Sequence, residues 1–388
     1  GHSMASDLVV RYAQTNDSVM ATVGVAMFSP AVTSTSPRNL LMINGEWEPR
    51  LNSAAMDVLR QASVDDEVNA GITYGRFDDG TARRFVVAEN TEHVAVLFSV
   101  NSASATINWL DQVFGIDRTD DYQPQPRGRW ILLLIAGIVT LWRVLAPLLP
   151  TVSLKENTSR LTVIPTMLVI ALPMVLTPFL LSLFTISFLP VLVGDYLAVH
   201  LALYGLLSAA LTVRLRRGTR SLPTINNEGA ANDIVLWNLI DWYKFSIAVL
   251  LLLLFSLPLA AVLNWQLASF WPTVERLPLL LAVGAGTLCW FLADEWATRG
   301  NSQWQWAYPV SKVAFLLSLG IAVALNFDGL FFLLLIVPIM IPMLVVFGLL
   351  SRWSYRSTGC AQVAAVSNAL VLAWAIAVTF PWVAVSTS

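Results

Sequence analysis

Charged residues and histidines are scarce in this chain of 388 residues. Charged side chains make up 12% of it, three histidines are present, and the formal net charge is −2. A near-neutral charge balance gives no support for nucleic-acid binding, and no nucleic-acid partner is expected. The two cysteines, Cys289 and Cys360, lie in or beside apolar runs, so their positions indicate neither a disulfide nor a metal site.

The chain also lacks the motifs by which common cofactors are bound. It has no glycine-rich phosphate-binding loop, no spacing typical of metal ligands and no clear internal repeat. We therefore predict no cofactor and no metal.

Apolar residues, in contrast, form 56% of the chain and are unevenly distributed. The first 129 residues have the composition of a soluble domain, whereas runs of about 20 apolar residues, enough to cross a bilayer as a helix, recur from Trp130 onward. Eight membrane spans are predicted, at 130–150, 161–183, 188–213, 245–265, 277–297, 308–326, 329–350 and 363–385. The expected domains are residues 1–118, a polar, proline-rich linker at 119–129, and an all-α transmembrane bundle at 130–388.

The first 118 residues alternate between strand and helix patterns. Apolar segments at 19–28, 39–44 and 82–89 predict strands, and segments after Ser6 and at 53–61 and 102–114 predict helices. This alternation is typical of an α/β domain with a mostly parallel sheet. In such sheets, the loops at the carboxyl ends of the strands build the functional site.

The segment Gly1-His2-Ser3-Met4-Ala5 places a serine between small residues immediately before an amphipathic helix. A nucleophile elbow needs this arrangement, although the usual motif ends in glycine and this one ends in Ala5. A competing explanation is that Gly, His, Ser and Met at an N-terminus are left by an expression tag. An acid and a histidine that follow in suitable places favour the elbow.

The acid follows a predicted strand, in Gly45-Glu46-Trp47-Glu48-Pro49, and His93 follows the last strand. With Ser3, these motifs resemble the C-terminal half of an α/β-hydrolase, in which the nucleophile, acid and histidine come in this order. The short gaps between them resemble dienelactone-hydrolase-like members. The resemblance covers roughly the first 115 residues.

The resemblance implies that Ser3 is the nucleophile, His93 the general base and acid, and Glu48 the residue that orients the imidazole. Glu46 competes with Glu48 for the third role, and Glu48 is preferred because it stands three residues after the strand-ending Gly45. The backbone N–H of Met4 is the expected oxyanion donor. A second donor and several strands are expected upstream of Gly1, so these residues alone need not suffice for activity.

Polar residues inside predicted spans are candidates for function. Asp195 and His200, close to one helical turn apart in the third span, form a possible intramembrane site, and Asp294 and Glu295 lie at the end of the fifth. The alternative is that such residues reach the interface or hold helices together.

Together these features predict a membrane-anchored serine hydrolase that cleaves a small-molecule or lipid-like ester, thioester or amide through an acyl-enzyme. The alternatives are a membrane transporter or sensor of a hydrophobic compound with a degenerate hydrolase domain, or an acyltransferase that uses the same triad. The expected location is a bacterial inner membrane, in contact with its lipids. Positive residues near the spans favour a hydrolase domain outside the cytoplasm.

Overall fold

The computed structural model describes residues 1–63, 67–118, 123–153, 161–220, 240–267, 271–299 and 304–382. These residues divide into two compact units, Gly1–Ala136 and Gly137–Ser388. The predicted linker at 119–129 lies partly outside the described residues, and its last three residues already belong to a helix that continues to Leu145.

The first unit contains a four-stranded mixed sheet. Its strands are β1 (Thr22–Val25), β2 (Leu40–Gly45), β3 (Thr73–Tyr74) and β4 (Arg83–Ala88), in the order β1-β2-β4-β3. β1, β2 and β4 run parallel, as predicted, whereas β3 pairs antiparallel with β4. Sequence reasoning missed β3 because two residues are too few to show a strand period.

Helices cover both faces of this sheet. They are α1 (Met4–Thr15), α2 (Pro49–Ala62) and α3 (Val100–Phe114), close to the predicted segments. β2 is buried throughout, and its alternating side chains separate into two cores. Leu40 and Met42 pack with α1 and α2, while Leu41 and Ile43 pack in the cluster that contains Trp109 of α3. The result is a central sheet between two helical layers.

Most of the second unit is long apolar helix. Its helices are α4 (Arg127–Leu145, which begins in the first unit), α5 (Val163–Leu181), α6 (Gly194–Arg220), α7 (Trp242–Leu267), α8 (Leu277–Thr298), α9 (Ala307–Leu325), α10 (Phe327–Thr358) and α11 (Ala361–Thr379). In the described residues, seven stretches are long and apolar enough to cross a membrane, which fits an integral membrane protein. They fall in all these helices except α7.

The predicted fourth span, 245–265, falls in α7. Its apolar stretch Trp242–Pro258 is shorter than the other spans, so within the described parts of the chain seven helices, and not the eight predicted, meet the length and hydropathy of a span. Proline interrupts several of the apolar helices, at Pro173 and Pro178 of α5 and at Pro338 and Pro342 of α10. Helices tolerate such residues in a bilayer when neighbouring groups satisfy the freed carbonyls.

Helices α6 and α8 approach each other very closely at two glycines. A Cβ atom on Gly286 would lie 2.2 Å from the carbonyl oxygen of Ala198, and one on Gly205 would lie 2.4 Å from the carbonyl carbon of Cys289. Small residues of this kind let helix backbones pack in membranes, where dispersion contacts replace the hydrophobic effect. The contact brings polar side chains of the two helices into one buried region.

Candidate active site

Ser3 lies in a strained turn between an extended segment and α1. Residues before it pair alongside β1, through a parallel bridge between His2 and Val25 and a hydrogen bond of 2.9 Å from Ser3 N to Val25 O. Ser3 has φ 54° and ψ −128°, a conformation that L-residues rarely adopt. A Cβ atom on Gly1 would lie 2.4 Å from the carbonyl oxygen of Ala5, so the turn needs a glycine there.

A side chain that the sequence did not single out supports this turn. The Ser6 hydroxyl lies 2.5 Å from the carbonyl oxygen of Ser3 and 3.2 Å from that of Phe28. It thereby ties α1 to the segment after β1. The Ser3 side chain makes no capping hydrogen bond to α1, and its hydroxyl lies beside His93 Nε2 instead.

Glu48 is held at the end of β2 by backbone contacts. Its Oε2 accepts a hydrogen bond of 2.8 Å from Gly45 N. Glu48 is also the residue that precedes the first turn of α2, where Pro49 occupies the first helical position, and its side chain makes no capping bond to that helix. A Cβ atom on Gly45 would lie 2.6 Å from the carbonyl oxygen of Thr91, so β2 and the loop after β4 are in direct contact. The Glu48 carboxylate therefore lies beside the loop that carries His93.

The three predicted side chains form a continuous hydrogen-bonded chain. His93 Nδ1 lies 2.5 Å from Glu48 Oε1, and His93 Nε2 lies 2.8 Å from Ser3 Oγ. The His93 and Glu48 side chains are 13% and 7% exposed, so water screens the contact between them only weakly. This geometry meets the requirement that a base reach the nucleophile while a third group orients the base.

The competing acid, Glu46, points elsewhere. Its Oε2 accepts a hydrogen bond of 2.8 Å from Asn90 N, at a residue with φ 53° in the turn after β4. Glu92 likewise accepts bonds from the backbone N–H groups of Val94 and Ala95, which start a 3₁₀ turn. Both acids shape the loop around His93, and Glu48 is the one that contacts its imidazole.

His2 lies against the same imidazole. Its Nε2 is 2.8 Å from the carbonyl oxygen of His93, and the two ring centroids are 5.1 Å apart. Since a carbonyl only accepts hydrogen bonds, His2 Nε2 carries the proton and donates it. Burial lowers the pKa of His2 below its usual 6.5 and outweighs the opposing effect of the bond to His93. His2 therefore positions the backbone of His93.

Met4, the expected oxyanion donor, is the first residue of α1. The N–H groups in the first turn of a helix have no acceptor within that helix, so the Met4 N–H is available to a ligand. The partial positive charge at a helix N-terminus adds to its attraction for an anion. Its position directly after Ser3 agrees with the expected geometry, and its role remains a prediction.

The predicted intramembrane pair is not joined by a direct hydrogen bond among the described contacts. Asp195 accepts bonds from the backbone N–H groups of Phe188 and Tyr196, at 3.0 and 2.7 Å, so it orders the start of α6. His200 lies 3.1 Å from the Ser318 hydroxyl on α9. Asp195 and His200 lie about one helical turn apart on α6. The Asp195 carboxylate, however, already accepts hydrogen bonds from two backbone N–H groups.

Comparison of this chain with protein-family models, with curated proteins and with solved structures found no match. The case for a function therefore depends on the geometry of the residues themselves.

Sequence reasoning overlooked a second polar cluster, around Lys312 of α9. This lysine is buried and forms an ion pair with Asp294 of α8. A lysine within an apolar stretch is a signal in its own right, because a charge in a bilayer is costly unless it is paired or functional. The same rule that selected Asp195 would have selected it.

Proposed function

We propose that the first unit is a serine hydrolase of the α/β-hydrolase class that cleaves an ester, thioester or amide through an acyl-enzyme. The observation that carries the proposal is the pair of hydrogen bonds at the His93 imidazole, whose Nε2 lies 2.8 Å from Ser3 Oγ and accepts its proton, and whose Nδ1 lies 2.5 Å from Glu48 Oε1 and donates to it. A serine hydroxyl is a weak nucleophile until a neighbouring base takes its proton. The parallel strands, the strained turn and the Ser, acid, His order are further support.

In the proposed mechanism, Ser3 Oγ attacks the substrate carbonyl while His93 Nε2 takes the hydroxyl proton. Glu48 holds the N–H proton of the neutral imidazole on Nδ1, which leaves Nε2 free to accept, and it stabilises the imidazolium that forms. The Met4 N–H stabilises the oxyanion. His93 then gives its proton to the leaving group, and a water molecule repeats the sequence to release the acid and regenerate Ser3.

The test is labelling of the full-length protein, in membranes, with a fluorophosphonate probe. We expect the wild type to be labelled and Ser3→Ala to lose the label, while Ser53→Ala, an exposed serine on α2, keeps it. His93→Ala should lose nearly as much, because the members of a triad act as a unit. Labelling that survives Ser3→Ala, or a wild type that is never labelled, contradicts the proposal.

Exposed apolar side chains near the three residues favour an apolar acyl group in the substrate. They belong to segments that carry or follow the triad residues: Met4, Phe28, Trp47, Leu97 and Phe98. Large apolar side chains in water are unremarkable singly, but several at one edge indicate a binding surface. We therefore propose a lipid-like acyl substrate rather than a small polar one.

Chain-length preference tests this substrate class. With p-nitrophenyl esters, kcat/KM should rise from acetate to octanoate, because each buried methylene contributes about 0.8 kcal/mol. Trp47→Ala should reduce the octanoate-to-acetate ratio, whereas Ile72→Ala, an exposed apolar residue beside β3, should not. A flat profile in the wild type would exclude the apolar acyl group while leaving the hydrolase proposal intact.

We also propose a bacterial inner membrane with the hydrolase unit on its outer side. Assuming eight spans, the positive residues on the opposite face are Lys155, Arg160, Arg214, Arg216, Arg217, Arg220, Lys244, Arg299, Arg352 and Arg356, against Arg127, Arg129 and Arg276 on the hydrolase side. Two of the first group, Arg216 and Arg299, are in fact largely buried against Trp296 and Tyr308, so the bias rests on the others.

Fusions after Ser388 test this orientation in a bacterial host. If α7 crosses the membrane, alkaline phosphatase should be active there and green fluorescent protein dark. A bright green fusion would mean that the C-terminus is cytoplasmic, and would contradict the eight-span orientation.

A further inference from the structure

The loop that carries His93 ends beside the start of α4. A 3₁₀ turn, Ala95–Phe98, follows His93, and the Glu92 carboxylate holds the start of this turn by accepting two backbone hydrogen bonds. A Cβ atom on Gly128 of α4 would lie 3.7 Å from Phe98 Cβ, so the first turn of α4 passes directly beside Phe98. Both segments belong to the first unit, and the contact is internal to it.

The first turns of α4 have the composition of a helix that enters a bilayer. The apolar stretch Arg127–Leu148 is long enough to span a membrane. Arg127 and Arg129 are exposed in its first turn, and Trp130, a residue type enriched at membrane–water interfaces, follows them. The large apolar side chains at 130–134 are each 40% to 67% exposed, and five consecutive helical residues point in every direction around the axis. Lipid is the surrounding that such a helix requires.

The α4 sequence indicates the depth of this contact in the bilayer. Gly128 precedes Trp130 by two residues, about 3 Å at 1.5 Å per residue, which lies within the polar interfacial layer of about 5–7 Å on each side of the hydrocarbon core. The Cα atoms of His93 and Phe98, five residues apart, are separated by about 10 Å at the 2.0 Å rise per residue of a 3₁₀ helix. His93 is therefore close to the layer that contains the ester groups of phospholipids.

Exposed apolar side chains connect the triad with this lipid-facing helix. They lie next to triad residues in the sequence or follow β1 at the same sheet edge, and each is 41% to 64% exposed: Met4, Phe28, Trp47, Leu97 and Phe98, here called the apolar rim. The hydrogen bonds within the triad hold the segments that carry most of the rim together. Since Phe98 also lies against α4, the rim continues into the surface that lipid covers. A continuous exposed apolar surface of this kind is typical of a membrane-interaction site.

We propose that the triad takes its ester directly from the bilayer, and that the substrate is a membrane phospholipid whose acyl chains contact the apolar rim. This inference rests on the proposed hydrolase function and adds the source of the substrate. Arg127 and Arg129 complement the phosphate of the headgroups, because guanidinium groups bind phosphate well.

The reaction is an acyl transfer to Ser3 followed by hydrolysis. Ser3 Oγ forms a bond to the acyl carbonyl carbon while His93 takes the hydroxyl proton, and the bond from that carbon to the glycerol oxygen breaks. The glycerol oxygen takes the proton from His93, and the lysophospholipid leaves. Water then adds to the acyl-enzyme, which releases a fatty acid and returns the proton to Ser3.

The first experiment measures fatty acid released by the full-length protein in phosphatidylcholine–phosphatidylglycerol liposomes, beside hydrolysis of soluble p-nitrophenyl acetate by the same liposomes. We expect the wild type to release fatty acid and Ser3→Ala to hydrolyse neither ester. Leu97→Gln/Phe98→Gln should lower the ratio of lipid to acetate hydrolysis by about tenfold or more, because two apolar contacts with the bilayer are lost.

Met20→Gln is the matched control, because Met20 is also an exposed apolar residue but precedes β1 at the opposite edge of the sheet. Its ratio of lipid to acetate hydrolysis should equal that of the wild type. Fluorophosphonate labelling of Leu97→Gln/Phe98→Gln shows whether its triad is intact, and Trp47→Gln decides the outcome if it is not. A wild type that hydrolyses acetate but no bilayer lipid, or a labelled rim variant with an unchanged ratio, overturns this inference and leaves the hydrolase proposal standing. A wild type that is never labelled contradicts the hydrolase proposal and this inference with it.

The second experiment locates the apolar rim without using activity. A bimane label on Phe98→Cys in proteoliposomes should be quenched by brominated phospholipids, and the same label on Met20→Cys should not. The wild type, which retains Cys289 and Cys360, gives the background. Equal quenching at the two positions, or a Phe98→Cys protein that is not quenched and instead forms disulfide-linked dimers, would show that the bilayer does not cover the rim.

Discussion

The two units arrange their polar residues in opposite ways. In the first, Ser3, Glu48 and His93 lie on turns at the edge of a sheet, and the only charged member of the triad accepts bonds from Gly45 N and from His93. In the second, three charged side chains lie inside helices and a fourth, Arg299, directly follows α8, and the four form two ion pairs. A site at a sheet edge can expose a reactive atom to a substrate, whereas a site among helices must first satisfy its charges. Substitutions should therefore affect chemistry in the first unit and stability in the second.

The largest expected effect is on the chemistry of the first unit. Glu48→Gln should lower kcat/KM by roughly 10⁴-fold, because an amide beside Nδ1 favours the wrong imidazole tautomer. The Gln carbonyl can still accept from Gly45 N, so the unit should unfold at a similar temperature. Ester hydrolysis and thermal unfolding of the same preparations measure both quantities.

Glu46→Gln is the matched control, because it lies two residues away at the same strand end. Its carboxylate contacts Asn90 N and not the imidazole, and a Gln oxygen can replace that contact. We expect a loss of activity below about tenfold, as for a single hydrogen bond of about 1 kcal/mol. Equal losses in the two variants would show that Glu48 has no special part in orienting His93.

Much of the first unit could be predicted because neighbouring parallel strands end at the same edge of a sheet. Residues that directly follow such strands therefore lie close together, even when they are far apart in the sequence. β2 and β4 are adjacent and parallel, so Gly45 and Ala88 end at the same edge and bring Glu48 near His93. The preference for Glu48 over Glu46 followed from counting residues after the strand. Ser6 could not be predicted, because its two carbonyl partners are set by the turn and not by any local pattern.

The second unit shows where such reasoning fails. The helices were predictable from hydropathy, but partners within the bundle are not encoded locally. His200 contacts Ser318, 118 residues away, and this depends on helix packing that glycines such as Gly286 permit. One helical turn between Asp195 and His200 suggested a pair, yet Asp195 is satisfied by backbone N–H groups. The spacing of residues along one helix does not show which residue of another helix or loop each side chain contacts.

The second prediction concerns the stability of the helical unit. Asp294→Asn should destabilise it by about 3–5 kcal/mol, because Lys312 would remain as an uncompensated buried charge. The double variant Asp294→Asn/Lys312→Met should recover most of this loss, since both charges are then removed. Circular dichroism of the purified proteins at increasing concentrations of a denaturing detergent measures the difference in the free energy of unfolding between the variants.

Asp241→Asn provides the exposed counterpart for that comparison. Its partner, Lys244, keeps its contact with water, and surface ion pairs contribute little. No measurable change in unfolding is expected. A single Asp294→Asn variant as stable as the double one would contradict the view that pairing in the second unit is a requirement of burial.

The smallest effect should be a pH dependence of the first unit that originates at His2. Burial lowers its pKa in the folded state below the unfolded value of about 6.5, so the unfolded chain binds more protons between the two values. The stability contributed by neutral His2 is therefore present above pH 6.5 and lost as the pH falls through the folded pKa. Protonation of the ring would not remove its Nε2 donor to the His93 carbonyl, so the loss reflects burial of the charge.

Hydrogen exchange measures this in the full-length protein, because the amide of Val25, bonded at 2.8 Å to the Gly1 carbonyl, reports local opening beside His2. We expect its protection, corrected for the intrinsic exchange rate, to fall between pH 7.5 and 5 in the wild type. His2→Gln cannot titrate and retains a side-chain donor, so its protection should change less over the same range. An equal change in both proteins would assign the pH dependence to another group. A pH effect that is confined to β1 should leave the hydrogen exchange of α8 and α9 unchanged over the same range. The ion pairs of those two helices do not involve His2.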